Sequence, residues 1–76
     1  MVREQASDIV AEMVANVMEV SVSVGDEVAL GDPVLMLESM KMEIPVLAER
    51  AGRVKQVRVT AGDVVQAGDI LLTLTH

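Results

Sequence analysis

Few side chains in this sequence can do chemistry, and they are unevenly placed. There is no cysteine, which removes disulfides, thiolate catalysis and thiolate metal sites. The single histidine, His76, is the last residue and reads as a frayed end rather than a base. There are two lysines, Lys41 and Lys55. Lys41 stands in Glu38-Ser39-Met40-Lys41-Met42-Glu43, between two methionines and, further out, two glutamates. A primary amine can be acylated, but an exposed ammonium is a poor nucleophile until another group takes its proton. No neighbour of Lys41 in the sequence supplies such a base. Two readings stand at this point: a polar residue placed at a turn for solubility, or a lysine kept for a partner. The first accounts for the charge and leaves Met40 and Met42 unexplained, because exposing them forfeits apolar burial that a partner would recover.

The elements that must hold this lysine are short. With 76 residues, one domain is the reasonable count, and a chain this small buries only roughly 60% of its unfolded surface. Half the residues are hydrophobic, yet none is aromatic, so the core is built from Val, Leu, Ile, Met and Ala. Such a core fills narrow spaces and seldom encloses a large pocket, which argues against a self-sufficient enzyme. The net charge of −6 and the lack of stacking aromatics argue against nucleic acid. Arg50, Arg53, Lys55 and Arg58 crowd into one stretch, which reads as a solvated strand face or, alternatively, a docking face. No apolar run is long enough to span a membrane, and Met1 to Ala6 do not form a signal peptide. The expected location is cytoplasmic.

The chain is one unit written twice. Shifting Ala11–Glu38 by 37 residues, onto Ala48–Thr75, superposes twelve identities among 28 positions without a gap. They are Ala11, Glu12, Val17, Val20, Val22, Gly25, Asp26, Val28, Gly31, Asp32, Leu35 and Leu37. Two copies are too few for a solenoid, so a closed two-fold structure is expected, each copy covering the other's apolar face.

Each copy reads as β. In Val54-Lys55-Gln56-Val57-Arg58-Val59 apolar and polar residues alternate, with one slip between Val54 and Val57. The same slip recurs at Val17-Met18-Glu19-Val20, and an extra residue in a period-two strand predicts a β-bulge. Gly-Asp pairs then punctuate short strands, glycine allowing positive φ and aspartate bonding its own backbone. The pattern predicts a flattened barrel or sandwich with no helix.

Between the copies, Ser39 to Leu47 predict a hairpin with Met40 and Lys41 near its tip, leading into an alternating strand with Met42, Ile44 and Val46 on one face. Pro45 cannot donate to a ladder, so that strand belongs at an edge. The two-fold places this hairpin at the end away from the chain termini. Lys41 has no counterpart in the repeat, whereas Lys55 matches Met18 inside a strand.

Glu38-Ser39-Met40-Lys41-Met42-Glu43 closely resembles the biotinyl-attachment motif Glu-Ala-Met-Lys-Met-Glu, with Ser39 in the alanine position. The Gly25-Asp26, Gly31-Asp32, Gly62-Asp63 and Gly68-Asp69 pairs agree with it, and the likeness runs from about Glu12 to Leu74. The resemblance implies the hammerhead fold of the biotinyl/lipoyl family: two four-stranded antiparallel sheets about a pseudo-two-fold axis, a barrel-sandwich hybrid. It implies that a biotin protein ligase joins biotin to Lys41, flanked by Met40 and Met42. Glu38, Ser39 and Glu43 would then serve ligase or partner recognition. The biotin would ferry a carboxyl group between the biotin carboxylase and carboxyltransferase sites of a biotin-dependent carboxylase, such as an acyl-CoA carboxylase. The chain itself would be a non-catalytic carrier with no metal. A tether of this kind raises the local concentration of the carried group to the millimolar range.

Two departures from the family stand out. Its first long strand is often preceded by a Met-Pro/Ala-Gly-Thr-like segment, where this chain has Met13-Val14-Ala15-Asn16. Ala15 occupies the place of Gly52, which predicts a less sharp first turn. There is also too little sequence between Gly25 and Lys41 for a protruding thumb, so the resemblance is to the small, thumbless, stand-alone type. The expected organisation is a flexible leader over 1–8 and an attachment domain over 9–76. The rivals are a lipoyl carrier domain of a 2-oxoacid dehydrogenase complex, whose lysine more often lies in an Asp-Lys-Ala setting, and an unmodified structural hammerhead.

Overall fold

In the computed structural model, residues 5–76 are described. They form eight strands: β1 (Ala6–Val10), β2 (Ala15–Val20), β3 (Glu27–Val28), β4 (Pro33–Ser39), β5 (Met42–Leu47), β6 (Gly52–Val57), β7 (Val64–Val65) and β8 (Ile70–Thr75). They make two antiparallel four-stranded sheets, sheet I in the order β1-β8-β6-β3 and sheet II in the order β5-β4-β2-β7. The fold class expected from the repeat and the resemblance is the one observed. Pro45 lies on β5, an edge strand, where its missing N–H costs no ladder bond.

The two-fold reaches further than the sequence identities. The 37-residue shift carries β2 onto β6, β3 onto β7 and β4 onto β8, and it also carries β1 onto β5. Strand β1 therefore starts at Ala6, inside the segment expected to be a leader: Ala6, Ser7 and Asp8 pair with Thr75, Leu74 and Thr73. Residues 1–4 of that segment lie outside the described residues.

Both foreseen bulges are present. The register slips between Val17 and Glu19 against β4 and between Val54 and Gln56 against β8, leaving Met18 and Lys55 as the extra residues. A second matched pair has no sign in the sequence. The β4–β5 register skips Val34, and the β1–β8 register skips Leu71. An extra residue breaks the in–out alternation. Val34 with Leu35, and Leu71 with Leu72, are thereby buried as consecutive neighbours.

The core between the sheets is aliphatic and symmetric: Ala11 and Ala48, Val17 and Val54, Val28 and Val65, Leu35 and Leu72, Leu37 and Leu74 are all buried. Its closure depends on four copies of one turn. In Ser23-Val24-Gly25-Asp26, the Asp26 N–H donates to the Ser23 carbonyl at 3.0 Å, while the Asp26 carboxylate accepts from the Ser23 N–H at 2.8 Å. Gly25 has φ +96°, the left-handed third position of a type II turn. Asp32, Asp63 and Asp69 accept the same bond from Ala29, Thr60 and Gln66.

These turns bind the two copies to each other. The Gly25 N–H donates to the Val54 carbonyl and the Val54 N–H to the Asp26 carbonyl, both at 2.8 Å. Reciprocally, Gly62 donates to Val17 and Val17 to the Asp63 carbonyl, again at 2.8 Å. Neither copy can satisfy these backbone groups alone.

Gly52 is a glycine for a different reason from the turn glycines. Its φ is not positive, but a Cβ there would stand 2.6 Å from the Thr75 carbonyl oxygen. The expectation that Ala15, in Gly52's place, blunts a turn is not met. Both positions open strands instead, and Ala15 has room for its methyl group, which is packed in the core.

Candidate functional site

Strands β4 and β5 end with Ser39 opposite Met42, which leaves Met40 and Lys41 as a two-residue turn. Their φ angles are +53° and +63°. Two consecutive left-handed residues make a type I′ turn, the one whose twist matches its strands. Asn-Gly is the usual sequence for it, and for other residues this backbone costs roughly 1–2 kcal/mol each. Met-Lys thus occupies a place that backbone preference would give to other residues.

The tip is open. Met40 is 91% exposed and Met42 61%, and Lys41 is exposed between them. Among the described residues the single ion pair is Arg53 with Glu27, at 3.2 Å, so the Lys41 ammonium has no carboxylate partner there. Behind the tip, Glu38 and Glu43 stand directly opposite each other, and Glu38 is flanked on its other side by Asn16. Ser39 is half-buried. The hairpin therefore gathers all six residues singled out in the sequence.

The arrangement presents an amine and does not enclose it. A groove of about 250 Å³ runs between the edge strands β1 and β5, lined by Ile9, Val10, Leu37, Pro45 and Leu47 among others, and the turn is not part of it. Among the described residues no cluster of His, Cys, Asp and Glu could hold a metal ion. Nor is any helix there long and apolar enough to cross a membrane.

The remaining candidates fall elsewhere. Arg50, Arg53, Lys55 and Arg58 are all exposed along and beside β6. His76 is not frayed: its N–H donates to the Gln5 carbonyl at 3.0 Å, its Nδ1 is 2.9 Å from the Ala51 carbonyl and its Nε2 is 2.8 Å from Ser7 Oγ. Two of these partners, Gln5 and Ser7, fall in the expected leader, so no sequence signal points to the contact.

A family model described as "Biotin-requiring enzyme" matches residues 5–74. The chain belongs to this biotinyl/lipoyl-attachment family. Among curated relatives of this biotinyl domain, the biotinylated protein TB7.3 homolog of Mycobacterium leprae is 62% identical over 42 residues, 55% of this chain and 59% of that one. The biotin/lipoyl attachment protein of Bacillus subtilis is 48% identical over 36 residues, 47% of this chain and 49% of that one. The matches thus span half to three-fifths of these relatives. A single-chain, multi-domain long-chain acyl-CoA carboxylase contains a region that superposes with TM-score 0.88 at 35% identity, covering 93% of this chain and 7% of that one. Kluyveromyces lactis urea carboxylase gives 0.86 at 31% identity, covering 97% and 6%. The lipoyl domain of the 2-oxoglutarate dehydrogenase complex of Azotobacter vinelandii gives 0.73 at 27% identity, covering 83% and 80%. The domain is like those of the acyl-CoA and urea carboxylases.

Proposed function

We propose that this biotinyl domain is a carboxyl carrier, with biotin joined through an amide to Nζ of Lys41. The observation that carries the reading is Lys41 itself, an amine with no ion-pair partner among the described residues, at the apex of a left-handed two-residue turn between two exposed methionines. The residues fit the group: acylation needs an amine that an enzyme can surround, and among the described residues no side chain bonds to it. In that reaction Nζ forms the amide bond as the leaving group of activated biotin departs, and the proton of Nζ goes to a base of the biotin protein ligase. When bound, biotin supplies a ring nitrogen that accepts and releases a carboxyl group.

The rest follows from what the chain does. The turn fixes the root of the tether, and its two strands are tied into sheet II, so the mobile length begins at Lys41. Loss of the ammonium charge on acylation leaves an apolar tip that can enter a partner's site. Met40 and Met42 provide adaptable apolar contacts for it, and Glu38, Ser39 and Glu43 offer polar groups for recognition. The partners are a biotin protein ligase and the biotin carboxylase and carboxyltransferase of a biotin-dependent carboxylase, in the cytoplasm. Similarity to regions of carboxylases and to biotinylated proteins supports this over a lipoyl carrier.

The test is co-expression with a biotin protein ligase and biotin, followed by intact mass beside a Lys41→Arg variant. A gain of one biotinyl group, lost in the variant although Lys55 remains, is expected. No gain in a folded chain would overturn the reading, and a gain with a lipoate ligase instead would replace it.

A further inference from the structure

The pseudo-two-fold gives every position an internal reference, because its partner meets the same fold. Comparing the outer faces of the two sheets isolates what the fold does not require. On sheet II, one row across the strands is Glu19–Met36–Pro45 and the next is Asn16–Glu38–Glu43, with bulged Met18 beside Glu19. On sheet I the matching positions are Gln56–Thr73–Asp8 and Arg53–Thr75–Ala6, with bulged Lys55.

The face of sheet I is partly paired within itself, Gln56 and Lys55 alone among its polar side chains making no bond to another described residue. Arg53 pairs with Glu27 at 3.2 Å, and the Thr73 hydroxyl donates to Asp8 at 2.7 Å. On the face of sheet II, no ion pair or side-chain hydrogen bond forms among the described residues of these rows. It carries three glutamates, Glu19, Glu38 and Glu43, with no basic residue, around Met36, Met18 (41% exposed) and exposed Pro45. Glu38 and Glu43 directly opposite each other are destabilising. The fold accepts Thr, Lys, Gln and Ala at the matched positions, so neither the methionines nor the acids are demanded by folding. This face also runs without a break into the hairpin that bears Lys41.

We infer that the outer face of sheet II, centred on Met36 and Met18 and rimmed by Glu19, Glu38 and Glu43, docks the enzyme that acylates Lys41. The occupant is a protein surface whose arginines and lysines ring exposed apolar side chains. The unpaired acids call for that positive ring, and the flexible thioethers adapt to the apolar centre. The inference rests on the carrier reading of Lys41 and extends recognition from the hairpin to rows well behind it.

The repeat supplies the test. Met18→Lys, Glu19→Gln and Met36→Thr together place on sheet II the residues that the same fold already holds on sheet I. Lys55→Met with Gln56→Glu makes the reverse exchange on sheet I as a control. All three proteins are checked by circular dichroism and thermal melting, then assayed with a biotin protein ligase, biotin and ATP. We expect the triple variant to lose at least about tenfold in kcat/KM, mostly through KM, and the control to stay within about twofold. Raising ionic strength should slow the unsubstituted chain more than the triple variant. A folded triple variant with unchanged kcat/KM would overturn the docking face and leave the carrier reading standing. If the unsubstituted chain takes no biotin, the carrier reading fails, and the docking face with it.

Discussion

Glu38 and Glu43 face each other across the last rungs of the hairpin that Lys41 closes. At the matched place on the other sheet, Thr75 faces Ala6. Two like charges at a directly opposed pair cost on the order of 0.2–1 kcal/mol. Glu43→Gln should therefore raise the melting temperature by about 1–8 °C, with the gain shrinking as salt is added. Differential scanning calorimetry at low and high salt checks it. A fall in melting temperature would mean that the pair is held by contacts other than those described.

The turn stores strain that can be released. Met40 has φ +53° and almost no buried area, so asparagine, at home in the left-handed region, should sit there more comfortably. Met40→Asn should stabilise the fold by about 0.5–1 kcal/mol, read as a higher urea midpoint at unchanged slope. No gain would show that the methionine turn is unstrained.

The four Gly-Asp turns predict equal effects at equivalent sites. Gly25 and Gly62 have φ of +96° and +99°, and a Cβ at either would meet only open space, so the backbone conformation alone resists alanine. Gly25→Ala and Gly62→Ala should each cost about 1–2 kcal/mol, and by similar amounts. Asp26→Ala and Asp63→Ala should each lose about 0.5–1.5 kcal/mol with the bond to Ser23 or Thr60. Chemical denaturation of the four variants makes the comparison; a marked inequality within either pair would show that one copy dominates stability.

Gly52→Ala should act through space rather than φ. Its Cβ would press on the Thr75 carbonyl oxygen, a backbone atom of the neighbouring strand, and on the His76 ring. The expected cost is about 1–3 kcal/mol, with hydrogen exchange quickening at the β6–β8 ladder. Unchanged protection there would show that the strands separate without loss.

Much of the fold is legible in the sequence because it is written twice. The slips at Met18 and Lys55 repeat in both copies, so each vouches for the other, and Pro45 announces an edge strand by its chemistry. The bulges at Val34 and Leu71 leave no such trace, since a run such as Ile70-Leu71-Leu72 looks alike with or without a break in alternation. Strand β1 escapes detection because Ala6–Val10 matches Glu43–Leu47 at no aligned position, although the two take equivalent places. The hairpin is legible, but not its type, since Met-Lys lacks the glycine or asparagine that signals a left-handed turn. Gly52 misleads for the opposite reason: a glycine suggests a turn, and here it makes room for a carbonyl.

His76 donates to Gln5 at the place where, half a rotation away, Ser39 faces Met42. The two ends of the described chain are thus held like the arms of a hairpin that lacks only its connecting residues. Topologically the domain is a ring cut once, and its strand order does not record where the cut was made. A circular permutant, closed by a two-residue link between His76 and Gln5 and opened between Met40 and Lys41, would keep every strand pair. The same ring lets a longer polypeptide carry the domain as an insertion no wider than one hairpin, with Lys41 projecting from the opposite pole.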